Sequence, residues 1–324
     1  MRLFEITLCN WQIKISFIMG YGGALLWTAL AHDLKHENPE RKVIFLYEKK
    51  WSDFFRAYNT SDHEIFFNNP EIDLLCSKSE WNWKRFRFRS NKKVIIDLDD
   101  ISYGYFHGAN EEKMFLKTTY HAISMMAMKH GIKDSLLQPR IYLTNKEINK
   151  AESIKAKFHL HADQYICLEP DSKDNWTPNR AWFKNSWQQL VDLLNQEIRH
   201  KKLSMQLVQM GIPGGISLDG VLDLRGMTSY RECASILEDA KAFISTEGGL
   251  AHLSTAVKTK TVVIQSGYNP KELMSYPQNI NLFHDMDCFG CGLRTPCSLE
   301  RECMKKISPE SVLSALKPLL LNIR

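Results

Sequence analysis

The sequence predicts an α/β protein made of two doubly wound, Rossmann-like domains. Length is the first reason, because 324 residues are long for one hydrophobic core and suit two domains. Composition is the second, since 44% hydrophobic and 24% charged residues are typical of a soluble globular chain. The third is that short β-branched runs alternate with segments of helical periodicity in both halves, a pattern that predicts parallel strands joined by helices.

The first half opens with a strand, a glycine turn and a helix. We expect the strand over Gln12–Met19, the turn through Gly20–Gly23 and the helix over Ala24–His36. These elements explain why residues 15–31 carry no charge. The glycines inside this stretch, and the charges ahead of it, argue against a signal peptide or a membrane span. We therefore expect a cytoplasmic protein, with peripheral contact at the inner membrane surface left open.

A strand over Lys42–Tyr47 follows, and then a basic, aromatic run over Trp81–Lys93 in which arginine and phenylalanine alternate. An amphipathic edge strand would keep the cationic face of this run in water. A patch for an acidic acceptor, phospholipid headgroups or nucleic acid would use the same charges, in a chain of net charge +5. We favour the edge strand and expect no nucleic-acid partner, because no nucleic-acid-binding fold surrounds the run.

Three aspartates, Asp97, Asp99 and Asp100, lie at the carboxyl end of the strand that begins at Lys93. Ligands of open α/β sheets bind at this end of the strands. A carboxylate there can serve as the general base for an acceptor hydroxyl. Helix capping or turn formation by aspartate is an alternative that we weigh equally. His107 is the reserve candidate for the base.

The domain boundary is predicted in the extended, proline-containing stretch that ends at Thr144, which divides the chain into residues 1–144 and 145–324. The second half repeats the alternation of strand and helix. We expect a strand over Tyr165–Leu168, a helix over Trp182–Glu197 and a strand over Met205–Met210. A polar loop that contains Lys173 follows the first of these strands.

A glycine turn between two strands organises the second half. Ala242–Ser245 is a short apolar strand, Glu247–His252 turns into a helix, and Thr261–Gln265 forms the next strand. This turn brings backbone N–H groups and the positive end of a helix next to a carboxylate and an imidazole. Such a place can bind an anion such as a diphosphate, although many turns of this kind merely connect their elements.

The chain has eight cysteines, and four of them, Cys288, Cys291, Cys297 and Cys303, form a cluster. Four thiols that open with a CxxC pair can close around one tetrahedral ion, and zinc and iron both fit such a set. Because the protein would fill every coordination position, the role of the ion would be structural. A redox-active CxxC pair and free cysteines near a cleft are the alternatives.

Three stretches of the second half carry a family resemblance. Asp223–Ser229 is similar to a DL-x-G-x-T stretch before a helix, Glu247–His252 to a D-[ST]-G-x-x-H loop, and Ile307–Val312 to a closing I-x-P-E-x-V helix start. Together they resemble glycosyltransferase family 9, the bacterial heptosyltransferases. Leu25–Leu30 extends the resemblance to the beginning of the chain. It implies the GT-B fold, in which two Rossmann-like domains face a central cleft.

The resemblance implies roles for residues of the second domain. Gly248, Gly249 and His252 would hold the diphosphate of a nucleotide-sugar, together with Glu247, which replaces the usual Asp of the family. Arg180 stands where the family has a Lys that faces the donor phosphates. The planar fork of Arg can hold phosphate oxygens in its place.

Two further points concern the base and the cysteines. The family commonly has an Asp directly after its first glycine, and this chain has Gly23 there. Either the base comes from elsewhere, as from Asp97–Asp100, or the protein is not a standard heptosyltransferase. Lys173 is a second candidate for phosphate contact. Part of the family, including the autotransporter heptosyltransferases, carries a related cysteine knuckle in which iron is the suspected metal.

The implied function is inverting transfer of a sugar, with heptose and ADP-heptose favoured, to a glycan, lipid-linked or protein hydroxyl. The N-terminal domain would bind the acceptor and the C-terminal domain the nucleotide-sugar. No catalytic divalent metal is expected, because cationic side chains can neutralise the phosphates. A GT-B nucleotide-sugar epimerase and a catalytically inactive, metal-bearing GT-B binding module are the alternatives.

Overall fold

The computed structural model describes residues 20–47, 62–84, 92–98, 118–171 and 177–321. The chain divides into two compact units. The first comprises residues 1–115 and 120–142, and the second comprises residues 116–119 and 143–324. The main division therefore lies between residues 142 and 143, beside the extended stretch in which the sequence predicts the boundary.

The first unit contains a parallel sheet whose three described strands have the order β2-β1-β3. Ile44 at the centre of this sheet pairs with Leu74 on one side and Ile95 on the other. The described elements are α1 (Tyr21–Glu37), β1 (Lys42–Tyr47), a 3₁₀ turn (Asp62–Phe66), β2 (Leu74–Ser77), α2 (Lys78–Lys84), β3 (Lys93–Asp97) and α3 (Ala122–Met128).

Helix α1 is buried over most of its length, which explains why its residues up to Ala31 carry no charge. Trp27 and Leu30 have no solvent exposure. The buried Asp33 accepts hydrogen bonds from the Ser135 hydroxyl at 2.5 Å and the Leu136 backbone N–H at 3.0 Å. In the part of the chain that the structure describes, no helix combines the length and the hydropathy needed to span a membrane.

The start of the basic run is helical, so the edge strand predicted over Trp81–Lys93 is wrong at its beginning. Ser77 and Glu80 form a capping box directly after β2. The Ser77 hydroxyl accepts from the Glu80 N–H at 3.3 Å, and the Glu80 carboxylate accepts from the Ser77 N–H at 3.1 Å. This reciprocal pair starts α2, because it satisfies two N–H groups of the first turn. Residues 85–91 lie outside the described ranges.

The second unit is built on a six-stranded parallel sheet of order β6-β5-β4-β7-β8-β9. The order reverses between β4 and β7, and ligands of doubly wound folds bind at the carboxyl ends of the strands at such a switch point. The elements are α4 (Asn145–Lys157), β4 (Tyr165–Glu169), a 3₁₀ turn (Pro178–Arg180), α5 (Lys184–His200), β5 (Gln206–Gln209), β6 (Leu222–Asp223), α6 (Tyr230–Glu238), β7 (Ala242–Thr246), α7 (Gly249–Ala256), β8 (Thr261–Ile264), β9 (Ile280–Leu282), α8 (Glu302–Lys305) and α9 (Pro309–Leu321).

Two tryptophans pack together at the start of α5, and one of them bonds to the C-terminal segment. Trp182 and Trp187 are fully buried, and their rings meet edge to face with centroids 5.2 Å apart. The Trp182 indole N–H donates to the backbone carbonyls of Met304 at 3.2 Å and Ile307 at 3.1 Å. This contact holds α8 and the beginning of α9 against the segment that carries Arg180.

The turn before α6 requires a glycine. Gly226 has a φ of +72°, and a Cβ at this position would lie 2.5 Å from the Pro213 side chain. Ser229 then caps α6, its hydroxyl accepting from the Glu232 N–H at 3.2 Å. The stretch Asp223–Ser229 therefore precedes a helix, as its pattern predicts.

Candidate functional site

The glycine turn of the second unit lies between β7 and α7. Gly248 is the N-cap of α7, and no side chain caps the helix there. The first turn contains no acidic residue. Tyr230 of α6 fixes this helix start, since its hydroxyl donates to the Gly249 carbonyl at 2.7 Å. The beginning of α7 therefore offers backbone N–H groups to an anion.

Arg180 lies next to this turn. Its guanidinium Nη1 is 3.7 Å from Oε1 of Glu247, and its guanidinium centre is 6.0 Å from the centroid of the Tyr268 ring. The two charged side chains are 16% and 7% exposed, so that water screens their attraction weakly. The Arg180 Nε–H is buried and has no acceptor among the described residues. An N–H group in this state favours the arrival of an acceptor such as a phosphate oxygen.

The Glu247 carboxyl is buried beside Arg180 and Asn269. The Asn269 amide donates to the same carboxyl oxygen that faces Arg180. Burial raises the pKa of Glu247, and the Arg180 charge and the Asn269 hydrogen bond counteract part of that rise. Glu247 therefore holds Arg180 and Asn269 together at the beginning of α7.

His252 projects from the first turns of α7 and is buried. Its Nδ1 is 2.8 Å from the Tyr276 hydroxyl, and the two rings meet edge to face. Burial first, and the charge of Arg180 second, lower the pKa of His252 to about 4. The imidazole is neutral at pH 7, so it can contribute a hydrogen bond to a ligand but no charge.

Glu169 ends β4 directly opposite this turn. Its Oε2 lies 3.7 Å from the position that a Cβ on Gly248 would occupy. Burial first, and the nearby Asp171 second, raise the pKa of Glu169 to about 8 against the opposing effect of Arg180. Glu169 is not among the site residues predicted from the sequence. Its position at the end of a buried strand in the second unit was the available signal.

The four clustered cysteines lie beside the same site. The N–H groups of Gly290 and Cys291 both donate to the Gly267 carbonyl, at 2.8 and 2.9 Å, and the Gly267 N–H donates to Cys303 Sγ at 3.4 Å. Gly290 and Gly292 have φ values of +80° and +59°, which glycine adopts without strain. The cysteine loop, residues 288–303, therefore contacts Gly267, which lies between the end of β8 and Tyr268.

The thiols of this cluster influence one another. Burial raises the pKa of Cys291, and the other three cysteines raise it further, while a backbone hydrogen bond from Leu293 lowers it. Cys288 is exposed and the other three thiols are half-buried. Within the described ranges, no group of three or more His, Cys, Asp or Glu side chains has the placement of a metal site.

Asn179 connects the cysteine loop to the turn that carries Arg180. Its amide donates to the carbonyls of Leu293 at 2.8 Å and Thr295 at 2.7 Å, and its carbonyl accepts from the Cys297 N–H at 3.1 Å. The cysteine loop and Arg180 are thus parts of one hydrogen-bonded assembly.

Comparison with known proteins identifies the family. The model of glycosyltransferase family 9 (heptosyltransferase) matches residues 107–292. The chain belongs to glycosyltransferase family 9. A curated relative, lipooligosaccharide heptosyltransferase 2 of Campylobacter jejuni, is 25% identical over 251 residues, which cover 72% of this chain and 74% of that protein.

Solved structures of this family have the same fold. A family 9 glycosyltransferase of Veillonella parvula covers 94% of this chain and 95% of its own, with a TM-score of 0.67 at 15% identity. The ADP-heptose LPS heptosyltransferase II of E. coli covers 94% and 97%, with a TM-score of 0.58 at 12% identity. The iron-containing dodecameric glycosyltransferase TibC of E. coli covers 86% and 76%, with a TM-score of 0.53 at 15% identity. The GT-B fold expected from the sequence is confirmed.

The first unit of this family 9 chain carries one described candidate for the base. Asp97 ends β3, and its Oδ2 lies 2.7 Å from the Lys78 ammonium, with both side chains about one-third exposed. Asp99, Asp100, His107 and Lys173 lie outside the described residues. Gly23 lies in the first turn of α1.

Three further residues of the second unit were missed by the sequence analysis. Tyr268 and Asn269 follow the end of β8, and Tyr276 reaches His252 from the segment before β9. Their position after a strand's carboxyl end was a usable signal for the first two. For Tyr276 the sequence carries no such signal, because this residue lies in the irregular segment between β8 and β9, well after the end of a strand.

Proposed function

We propose that this family 9 glycosyltransferase transfers a heptose from ADP-heptose to a hydroxyl of a glycan, lipid-linked or protein acceptor, with inversion at the anomeric carbon. The observation that carries the donor part is the buried Arg180 Nε–H, which has no acceptor among the described residues and lies beside the uncapped start of α7. The name of the E. coli heptosyltransferase II, a relative in fold, supports ADP-heptose as the donor.

The donor diphosphate would bind between Arg180 and the first turn of α7. Arg180 would form charge-assisted hydrogen bonds with the phosphate oxygens, and Gly248 and Gly249 would provide backbone N–H groups. His252 would add a neutral hydrogen bond. Negative charge develops on the leaving diphosphate during transfer, and donors fixed in advance around it lower the barrier. Lys173 is a further candidate for this contact.

The acceptor would bind to the first unit, and its hydroxyl would lose its proton to a carboxylate among Asp97, Asp99 and Asp100. Such a base would assist attack of the hydroxyl on the anomeric carbon, and inversion requires that this attack come from the side of the sugar opposite the diphosphate. Asp97 also forms an ion pair with Lys78. This ion pair engages Asp97, and we propose Asp99 and Asp100, which follow it in the sequence, ahead of it.

A structural zinc or iron ion would be held by Cys288, Cys291, Cys297 and Cys303. The donor set suits such an ion, since the other three thiols act electrostatically on Cys291 and since backbone N–H groups already donate to the sulfurs of Cys291 and Cys303. The iron-containing relative TibC supports the same proposal. Metal would crosslink the loop and supply folding energy, with no part in the transfer itself.

This proposal includes a cytoplasmic location, since free thiols persist in a reducing compartment. Peripheral contact with the inner membrane surface belongs to the proposal only for a lipid-linked acceptor. We expect no nucleic-acid partner.

The deciding experiment measures nucleotide binding before turnover. We expect calorimetry to give ADP a lower Kd than GDP or UDP for wild-type protein. Arg180→Ala should raise the ADP Kd by about one to two orders of magnitude, because a lost charge-assisted contact costs about 1.5–3 kcal/mol. Arg199→Ala, at an exposed position near the end of α5, is the matched control and should leave the Kd unchanged.

Turnover then separates the alternatives. A glycosyltransferase consumes ADP-heptose in the presence of an acceptor and releases ADP. An epimerase changes the sugar of the nucleotide-sugar without releasing ADP, and an inactive binding module does neither. An unchanged ADP Kd in Arg180→Ala would remove Arg180 from the donor site.

A further inference from the structure

Glu169 lies beside the glycine turn at which the donor diphosphate is proposed to bind. It ends β4, at the switch point of the sheet. Its Oε2 is 3.7 Å from the position of a Cβ on Gly248, and its Cγ is 3.9 Å from that of a Cβ on Gly211. The carboxyl therefore lies between the start of α7 and the loop after β5. No residue of the described ranges forms a hydrogen bond with it.

The charges around Glu169 do not favour an anion if every carboxyl is ionised. Asp171 and Glu247 are the neighbouring acids, and Arg180 is the neighbouring cation. Among the described residues, Arg225 also acts on Asp171, but it forms its own ion pair with Asp223. Three ionised carboxylates would therefore stand against the Arg180 guanidinium, and a diphosphate adds at least two more negative charges. Like charges at such short range in a partly buried site repel by several kcal/mol. A proton on one carboxyl would relieve this repulsion.

Among the described residues near the site, Cys233 and His252 do not supply the missing positive charge. Cys233 approaches from α6, and burial raises the pKa of its thiol to about 12, so it is neutral. His252 on α7 is neutral as well, because burial lowers its pKa to about 4.

We propose that Glu169 binds the donor diphosphate as a neutral carboxylic acid whose O–H donates a hydrogen bond to a phosphate oxygen. Donor binding is then coupled to protonation of Glu169. This inference rests on the proposed donor site. It adds Glu169, which lies outside the glycine turn, to the residues that bind the donor. The chemistry balances without any further component, because the proton stays on Glu169 and no bond to carbon changes.

The environment of Glu169 keeps the proton in place at neutral pH. Loss of solvent is the larger cause and Asp171 the second, and together they raise its pKa to about 8 against the pull of Arg180. Below that pH the group is protonated and the ADP affinity should not depend on pH. Well above that pH, the protonated fraction of Glu169 falls about tenfold per pH unit. The Kd for ADP should then rise about tenfold per pH unit.

A divalent cation is the chemical competitor to a proton. A metal ion bridging Glu169, Asp171 and the diphosphate would neutralise the same charges. The described residues contain no group of three or more metal-ligating side chains placed for such an ion. The two explanations differ in their response to pH and to chelator.

The test uses full-length protein, ADP as the probe, EDTA in the buffer and calorimetry at pH 7.5, 8.25 and 9.0. ADP itself changes little in this range, because phosphate groups have a second pKa of about 6. We expect the wild-type Kd to be roughly eightfold higher at pH 9.0 than at pH 7.5. Buffers of different ionisation enthalpy should show close to one proton taken up per ADP bound at pH 9.0.

Two variants complete the test. Glu169→Gln keeps a neutral hydrogen-bond donor, so its Kd at pH 7.5 should stay within about threefold of wild type and be constant up to pH 9.0. Glu238→Gln is the matched control, since burial also raises the pKa of Glu238 but that residue ends α6 at a distance from the glycine turn. It should keep the pH dependence of wild type.

Three results would overturn the inference. The first is a constant wild-type Kd, and the second is a Glu169→Gln variant that no longer binds ADP at any pH while remaining folded. The third is binding that EDTA abolishes and Mg²⁺ restores. Failure of the wild-type protein to bind ADP at every pH would overturn the proposed donor together with this inference, whereas the first two results leave the proposed donor standing.

Discussion

At the residue scale, Arg180 holds the candidate site together. Its guanidinium forms an ion pair with the buried Glu247 carboxyl and acts electrostatically on Glu169 and His252. Its Nε–H has no acceptor among the described residues. Arg180 and its acidic partners are weakly exposed, so that each charge counts more than it would at a surface. A ligand that brings phosphate oxygens would satisfy the guanidinium more fully than the protein alone does.

The first prediction concerns the base. Asp99→Asn or Asp100→Asn should abolish heptose transfer, with kcat lowered by about two to four orders of magnitude, because general-base assistance has that size. Donor binding should be unaffected, since both residues are proposed for the acceptor side. Asp97→Asn should have the smaller effect on kcat, given its ion pair with Lys78. Single-turnover kinetics with calorimetry of ADP on each variant provides the measurement.

Near wild-type kcat in all three variants would exclude this aspartate cluster as the source of the base. His107→Gln would then be the next variant to measure.

The second prediction concerns Gly226. Alanine there meets a left-handed backbone with φ of +72° and approaches the Pro213 side chain to 2.5 Å. Gly226→Ala should lower the free energy of unfolding by about 2–4 kcal/mol, from strain and from the forced shift of Pro213. Urea denaturation provides the measurement.

Gly214→Ala separates the two causes. Gly214 has a φ of +89°, and a Cβ there would meet nothing within 4 Å. This variant should lose about 1–2 kcal/mol, from backbone strain alone. Equal losses in the two variants would show that contact with Pro213 contributes nothing.

At the scale of elements, the cysteine loop and the Arg180 turn support each other. Asn179 is buried and forms three hydrogen bonds to residues 293–297. The Arg301 guanidinium adds hydrogen bonds to the carbonyls of Ala181 at 2.8 Å and Pro178 at 3.3 Å, and lies 4.3 Å from the centre of the Phe183 ring. The loop therefore positions the backbone on both sides of Arg180.

The third prediction tests this support. Asn179→Ala removes the side-chain partner of the Thr295 carbonyl and the Cys297 N–H, while the Leu293 carbonyl keeps the Thr177 hydroxyl. The change should cost about 2–4 kcal/mol of unfolding free energy. It should also weaken ADP binding by about threefold to tenfold, because Arg180 follows directly in the chain. Asn195→Ala, which removes one exposed hydrogen bond to the Gly220 carbonyl, is the control. Unaltered ADP affinity in a destabilised Asn179→Ala protein would refute the coupling.

The fourth prediction concerns the proposed metal. Protein purified without a histidine tag should contain one zinc or iron ion per chain. Cys291→Ser should lower the metal content and the melting temperature together, because a closed four-thiolate site contributes folding energy. Cys76→Ala, which removes a buried thiol of the first unit, should keep the full metal content. Elemental analysis decides the matter, and clearly less than one ion per chain with four alkylatable thiols would end the proposal.

At the scale of the whole molecule, the buried carboxyl of Glu169 gives the free protein a pH-dependent stability. Its pKa is about 8 in the fold and 4.5 as a free side chain. Between these values the unfolded chain has released the proton and the folded chain has kept it. Fewer protons are bound in the unfolded state, so stability falls as pH rises through this window.

The fifth prediction follows from this sign. Between pH 5 and pH 8 the unfolding free energy attributable to Glu169 should fall by about 2–4 kcal/mol, after allowance for its partial exposure. Glu169→Gln has no carboxyl to ionise and should remove that part of the slope. Urea denaturation of both proteins at several pH values gives the comparison. A slope that is the same in wild type and variant would contradict the prediction.

Sequence by itself determined the elements that depend on local patterns. The strand, glycine turn and helix around Gly248 follow from an apolar run, two glycines and helical spacing, and the structure has β7 and α7 at these residues. The glycines of the cysteine loop were recognisable for the same reason, since Gly290 and Gly292 take positive φ values that glycine alone adopts freely. The edge strand predicted from Trp81 failed because a capping box between Ser77 and Glu80 outweighed the alternation of side chains.

Only the tertiary structure decided which side chains meet at the site. Glu169, Arg180, Glu247 and Asn269 belong to separate segments, and they meet because β4, β7 and β8 are neighbours in one parallel sheet. Strand order is fixed by the packing of helices on both faces of the sheet, which no local pattern records. Burial follows from the same packing. It keeps Glu169 protonated at neutral pH, where a carboxyl in water is ionised, and it keeps His252 neutral at mildly acidic pH, where an imidazole in water is protonated.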